Sequence, residues 1–250
     1  MTTVKDILAF TESFAPLCTC ADFDNCGILL GNKNAPVRKA LLSLDITKAV
    51  IEEAKNIGAE LIISHHPVIF NPLKNLSSDS VPYLLAKEGI TALCLHTNLD
   101  RAEDTGVNTA LANTLNLSEQ KLYSEDFLLV GKLEKAMSLT EFLSFVKKRL
   151  NSPCVACAGK KESISTVAVS SGAGADGYHK AAALGADILL TGEARHHEYL
   201  MAAEGEIPLV TAGHFHTEDV VISPLLEKLS EKFPHIEFSK ASWDFPVTYL

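Results

Sequence analysis

With 31 acidic against 22 basic side chains, the 250-residue chain carries a formal charge of -9. That charge repels a phosphate backbone unless the cations gather on one face, and no long Lys/Arg run gathers them, so nucleic acid is an unfavoured partner. The start, Met1-Thr2-Thr3-Val4-Lys5-Asp6, lacks an apolar signal core, and no apolar run reaches the roughly 18 to 20 residues of a membrane span. A cytoplasmic protein without a membrane partner is expected, and its six cysteines read as reduced thiols rather than a disulfide framework.

Val4, Ile7, Leu8 and Phe14, with Ala9 and Phe10 between, predict an amphipathic first helix ended by Pro16. Cys18, Cys20 and Cys26 lack a fourth ligand at familiar metal spacing, and Cys154-Val155-Ala156-Cys157 further on has the spacing of half a zinc ribbon or a redox pair, but no second Cys-x-x-Cys follows. The polar turn Asp22-Phe23-Asp24-Asn25-Cys26-Gly27 precedes a short strand at Ile28-Leu29-Leu30, and turn chemistry explains Asp24 and Asn25 about as well as function does. A strand over Ala40 to Asp45 leads to a helix opened by Thr47, carrying Val50, Ile51, Ala54 and Ile57 at helical spacing and stopped by Gly58.

Leu61-Ile62-Ile63-Ser64 reads as a parallel strand buried on both faces, and ligands of open α/β sheets collect at such carboxyl ends. It delivers His65-His66-Pro67. Adjacent residues of extended chain point to opposite sides, so the two imidazoles suit two neighbouring metals, one each. A loop rich in Asn, Ser and Pro, then a helix from Val81 to Glu88, lead to another apolar strand over Ile90 to Leu95. That strand ends in His96-Thr97-Asn98-Leu99-Asp100, which makes Asp100 a further ligand candidate with a hard oxygen beside imidazole. Equally, Asn98 and Asp100 would form a turn and cap the helix over Val107 to Leu117.

From Leu128 the texture changes, and residues 126–165 read as a linking subdomain between lobes at 1–125 and 166–250. Its helix is capped by Ser138 or Thr140 before Glu141, and Lys147-Lys148-Arg149 reads as a solvated face. The last part of the chain repeats the grammar of the first. Gly58-Ala59-Glu60-Leu61-Ile62-Ile63-Ser64 is echoed by Gly185-Ala186-Asp187-Ile188-Leu189-Leu190-Thr191, each preceded by a strand and a helix. Both halves reach a His pair, His65-His66 or His196-His197, and then a strand ending in His96 or His214. The fold class expected is α/β, with two pseudo-repeated α/β lobes and a metal site in the cleft between them.

His214 and Glu218 stand four apart and share a helix face if helix begins near His214; alternatively Thr217 is an N-cap. Pro224 delays or kinks any helix that follows. Trp243, Phe245, Val247 and Tyr249 alternate as in a C-terminal strand with one buried face. No Walker-type loop is present, and Gly172-Ala173-Gly174-Ala175-Asp176-Gly177 lacks the full dinucleotide fingerprint, though its place between strand and helix leaves phosphate contact open.

In that order, Ser64-His65-His66-Pro67, His96-Thr97-Asn98-Leu99-Asp100, Thr191-Gly192-Glu193 leading to His196-His197, and Gly213-His214 followed by Thr217-Glu218 resemble the Nif-three-like family, the GTP cyclohydrolase I type two homologues. The resemblance covers nearly the whole chain. It implies a dinuclear divalent-metal site held by His65, His66, Asp100, His214 and Glu218, with Glu218 bridging the ions. His96 would stand close by as an outer-shell group or occasional ligand, with proton shuttling as its candidate chemistry, and the assembly would be a homohexameric ring. It further implies metal-dependent hydrolysis of a nucleotide or related phosphorylated small molecule, with Zn, Mn, Fe, Co or Ni as candidate ions. A non-catalytic metal carrier or regulatory partner would use the same ligands. Phe23 stands where the family usually has Trp, and His216 is an extra imidazole between matched positions.

Overall fold

The structure, a computed structural model, describes residues 1–242 and 245–248. It is mixed α/β with two sheets, and the chain divides into two compact units, residues 1–105 with 222–245 and residues 106–221 with 246–250.

The first unit opens with α1 (Val4–Thr11), where Asp6 accepts hydrogen bonds from the amide and hydroxyl of Thr3 at 2.8 and 2.7 Å. It continues through β1 (Gly27–Leu30), β2 (Lys39–Ser43), α2 (Lys48–Ile57), β3 (Leu61–Ser64), α3 (Val81–Glu88), β4 (Thr91–Cys94) and the single turn α4 (Thr97–Asp100). The second unit holds α5 (Val107–Thr114), β5 (Ser118–Tyr123), β6 (Leu128–Met137), α6 (Leu139–Arg149), β7 (Ala156–Ala158), β8 (Ile164–Ser170), α7 (Tyr178–Ala183), β9 (Ile188–Thr191), α8 (His196–Glu204), β10 (Leu209–Thr211) and α9 (His214–Glu218). The chain then returns to the first unit with α10 (Ile222–Lys232) and β11 (Glu237–Lys240).

The first sheet has the order β1-β4-β3-β2-β11, parallel except for β1. The second has the order β5-β6-β8-β9-β10-β7, with β8, β9 and β10 parallel and the other pairings antiparallel. The repeated grammar therefore has a structural counterpart: β2-β3-β4 in one unit and β8-β9-β10 in the other are adjacent parallel triplets. A shared clamp accompanies them. Glu60 accepts the amides of Arg38 and Lys39 at 3.0 and 2.9 Å, and Asp187 accepts those of Ser165 and Thr166 at 3.0 and 2.9 Å. Each carboxylate thus secures the start of the preceding parallel strand, which explains the acid in both Gly-Ala-acid sequences. Burial works against the charged form in both, but the amides and the neighbouring Arg38 or Lys161 outweigh it and hold both carboxyls below their usual range.

The expected boundaries at 125 and 165 differ from these units. Residues 128–137 form β6, which pairs with both β5 and β8, so the segment expected to link two lobes lies inside the second sheet. Its helix is capped as read: the Glu141 carboxylate accepts from the Ser138 amide at 2.8 Å, and Phe142 and Val146 enter the core of the second unit. At the other end, β11 pairs in parallel with β2, because Phe238 and Ser239 lie in register with Ala40 and Leu41. Among the described residues the C-terminal strand is 237–240, upstream of the predicted alternation. Phe245 and Val247 carry no strand, Val247 is about half exposed, and Trp243 and Tyr249 lie outside the described residues. Leu61, Ile62 and Ile63 are at most 1% exposed, and full burial of such side chains contributes about 1.5–3 kcal/mol each. The strand that carries His65 and His66 is therefore anchored on both faces.

Candidate metal centre

Ser43, Ser64 and Cys94 lie in register across β2, β3 and β4, so the residues after them leave the sheet along one carboxyl edge. The amides of His65, His66 and Leu95 extend the ladder by donating to Ser43, Leu44 and Ser64 carbonyls. Asp45, His65, His66 and His96 are thereby delivered to the same place. The ligand nitrogens of His65, His66 and His96 all lie within 4.8 Å of one another. The alternation expected of adjacent strand residues does not separate His65 from His66, because β3 ends at Ser64 and the two rings, beyond the strand, stand 5.1 Å apart.

All three imidazoles are held at Nδ1 by an oxygen that only accepts. His65 Nδ1 lies 2.9 Å from the Leu95 carbonyl oxygen, His66 Nδ1 2.8 Å from Asp45 Oδ1 and His96 Nδ1 2.8 Å from Asp24 Oδ1. Nδ1 carries the proton in each contact, so Nε2 is the nitrogen each ring presents on its other side. Asp100, at the end of the α4 turn, places Oδ1 3.7 Å from His65 Nε2. Two ligands of one ion at ~2.0–2.2 Å each stand only slightly closer than this. Asp100 does not cap the next helix, since α5 begins at Val107 with Gly106 in the N-cap position.

Asp24 is the best-held group of this set. Its side chain is fully buried, and beyond His96 it accepts from the Thr97 amide at 3.0 Å, the Thr97 hydroxyl at 2.5 Å and the Cys26 thiol at 2.9 Å. Burial pushes the carboxyl up, but the bonds from His96, Cys26 and Thr97 outweigh it and hold the group well below the usual carboxylate range. Three sulfurs lie beside it. The thiol of Cys94 holds Cys26 down to about 6, whereas burial, reinforced by Cys26, pushes Cys20 up to about 12 and Cys94 well above the usual thiol range.

In the second unit, α9 begins at His214, so His214 and Glu218 do share a helix face, with His214 Nε2 2.9 Å from Glu218 Oε2. His214 Nδ1 faces Glu193 Oε1 at 3.3 Å. Thr217 is no N-cap; its hydroxyl donates back to the Gly213 and His214 carbonyls. Glu218 is buried against Gly172, whose φ is +59° and where an added Cβ would stand 2.1 Å from Glu218 Oε1 and 3.1 Å from His214 Nε2. The glycine stretch after β8 thus seats a carboxylate. Pro224 delays α10 to Ile222 after a short 3-10 turn.

The structure therefore gathers His65, His66, His96 and Asp100 in the first unit and His214 with Glu218 in the second. His196 and His197 are exposed at the start of α8, where the charged pair is Arg195 with Glu198. His216 packs over Gly213, and burial lowers its pKa. Sequence reasoning missed the buttresses Asp45 and Glu193 and left Asp24 undecided. The available signal was an acid at a strand end or turn on the edge that carries the histidines.

Residues 2–244 match the model of the Duf34/NIF3 (NGG1p interacting factor 3) family. The chain belongs to the Duf34/NIF3 family. This bears out the resemblance carried by the ordered motifs. Among Duf34/NIF3 relatives, a GTP cyclohydrolase 1 type 2 homolog of Clostridium perfringens is 31% identical over 241 residues, covering 92% of each chain. Another from Methanocaldococcus jannaschii is 32% identical over 247 residues, covering 96% of this chain and 99% of its own. Among solved structures, reduced HcgD from Methanocaldococcus jannaschii is 29% identical with a TM-score of 0.83 over 97% of this chain and 98% of that one. A Staphylococcus aureus hypothetical protein shares the fold at a TM-score of 0.93, with 24% identity over 99% of each chain.

Proposed function

We propose that this chain binds two divalent metal ions through His65, His66 and Asp100 together with His214 and Glu218, and that it hydrolyses a nucleotide or related phosphorylated small molecule. The observation that carries this reading is the common buttressing of three imidazoles at Nδ1, by the Leu95 carbonyl, Asp45 and Asp24. Acceptors on the remote nitrogen are how metal-ligating histidines are oriented and made more basic. Imidazole and carboxylate donors fit Zn, Mn, Fe, Co or Ni, and availability decides among them.

When bound, such a pair of ions supplies Lewis acidity toward a phosphate or carbonyl oxygen and activates water. The protein's own residues do the rest. Asp24 and Asp45 fix ring orientation and tautomer. His96, with Nδ1 held by Asp24, offers Nε2 to take a proton and return it to the leaving group. Glu218 would supply carboxylate oxygen donors to the ions. The relatives' name points to GTP as the first substrate to try. The reading also takes the chain to be cytoplasmic and to assemble as a homohexameric ring.

The test is hydrolysis of GTP and a phosphoester panel by protein reconstituted with each of the five metals. Metal-dependent turnover lost in a folded Asp100→Ala variant is the expected result. Stoichiometric metal with no turnover on the panel would refute the hydrolase and leave a metal carrier.

A further inference from the structure

The sulfurs of Cys20 and Cys26 and a carboxylate oxygen of Asp24 all lie within 4.8 Å of one another in the first unit, and neither the metal set nor the proposed hydrolysis uses the sulfurs. We propose that Cys20 and Cys26 are an oxidisable dithiol that closes to a disulfide when a hydroperoxide reaches it. Three observations favour this over a cation held by the same three groups. Asp24 is already committed, since its oxygens accept from His96, both Thr97 donors and Cys26. The two cysteines are partly exposed, whereas the third nearby sulfur, Cys94, is fully buried inside β4 and donates to the His65 carbonyl at 3.0 Å. Cys20 and Cys26 also lie in the connection before β1 rather than within a helix or strand. Bringing their sulfurs from at most 4.8 Å to the ~2.05 Å of a disulfide therefore asks movement of a turn and not of the sheet.

The chemistry balances with the hydroperoxide as oxidant. Cys26, whose thiol hydrogen already points at Asp24 Oδ2, attacks the terminal peroxide oxygen. The O–O bond breaks, Cys26 becomes a sulfenic acid, and the thiol proton leaves on the alcohol or water formed. The Cys20 sulfur then attacks the Cys26 sulfur, the S–O bond breaks, and hydroxide departs as water with the Cys20 proton. Two thiols are oxidised by one electron each, and the peroxide is reduced by two. Once closed, the disulfide removes one hydrogen-bond donor from the carboxylate that orients His96, so oxidation is felt at the metal edge.

The experiment is titration of the full reduced chain with hydrogen peroxide, with intact mass and peptide mapping as the readout. The expected product has lost two hydrogens per chain, carries a Cys20–Cys26 cross-link, and returns to the dithiol with an external reductant. A Cys20→Ser variant should instead accumulate a sulfenic acid at Cys26 that a dimedone probe traps, and Cys26→Ser should form neither. Oxidation at Cys26 should outpace that of exposed Cys18 and Cys154 by about tenfold. The proposal is overturned by a cross-link from Cys26 to Cys94, by oxidation no faster than at Cys18 and Cys154, or by a stoichiometric metal on Cys20 and Cys26 that shields both sulfurs.

Discussion

Replacing Asp24 with Asn tests how firmly one carboxylate ties the turn before β1 to the edge of β4. The side chain is fully buried and meets five donors: His96 Nδ1 at 2.8 Å, the Asn25 amide at 2.7 Å, the Thr97 amide at 3.0 Å, the Thr97 hydroxyl at 2.5 Å and the Cys26 thiol at 2.9 Å. Asn keeps the volume but turns one acceptor atom into an NH2 donor. If the amide oxygen serves Thr97 and Cys26, the NH2 confronts the Nδ1 hydrogen of His96. A charge-assisted bond contributes about 1.5–3 kcal/mol and an orphaned buried donor costs about another 1, so a loss of ~2–4 kcal/mol is expected at neutral pH. Urea unfolding of parent and variant measures it, and a cycle with Thr97→Val should show coupling of about 1 kcal/mol or more. The pH dependence has a definite sign. Because the folded-state pKa of Asp24 is depressed, its contribution is fully present above the unfolded value of about 3.9 and is lost as pH falls below it toward the folded value. The parent–variant gap should therefore shrink on acidification below about pH 4. A variant within ~0.5 kcal/mol of the parent at neutral pH, or a gap unchanged on acidification, would refute this reasoning.

Two further substitutions probe the second unit and the repeat. Gly172→Ala places a Cβ 2.1 Å from Glu218 Oε1 at a φ of +59°, so Glu218 must move. Bound metal per chain should fall by about half, read by elemental analysis, while Ala at an exposed helix position leaves it unchanged. Glu60→Gln and Asp187→Asn each weaken a carboxylate that accepts two backbone amides. With about a quarter of each side chain exposed, the expected loss is ~1–2 kcal/mol apiece in denaturant unfolding. Equal stability in both variants would show that the clamp carries no weight.

The parallel triplets were legible in the sequence because apolar runs such as Leu61-Ile62-Ile63 and Ile188-Leu189-Leu190 are bounded by helix-stopping glycines. The capped helix at Ser138 was legible for a similar reason, since a capping box is a local chemical signal. Domain organisation was less so. Residues 128–137 alternate too weakly to declare a strand at their charged end, and the return of 222–240 to the first sheet depends on a pairing, Phe238 with Ala40, that no local pattern encodes. At the site, His65, His66 and His96 could be read because they follow strands directly, and Asp100 because it closes the short turn after one. Asp45 and Asp24 could not be told from ordinary turn residues, because their partners stand 21 and 72 residues away. The meeting of Cys20 with Cys26 was hidden likewise, since the five residues of irregular chain between them fix no separation between two sulfurs.

The most direct test of the central claim is elemental analysis of untagged protein purified without chelator, given as metal atoms per chain. The account predicts about two of a transition metal, with clear loss in folded Glu218→Ala and His66→Ala variants. A value near zero that persists after reconstitution with Zn, Mn, Fe, Co and Ni would contradict it.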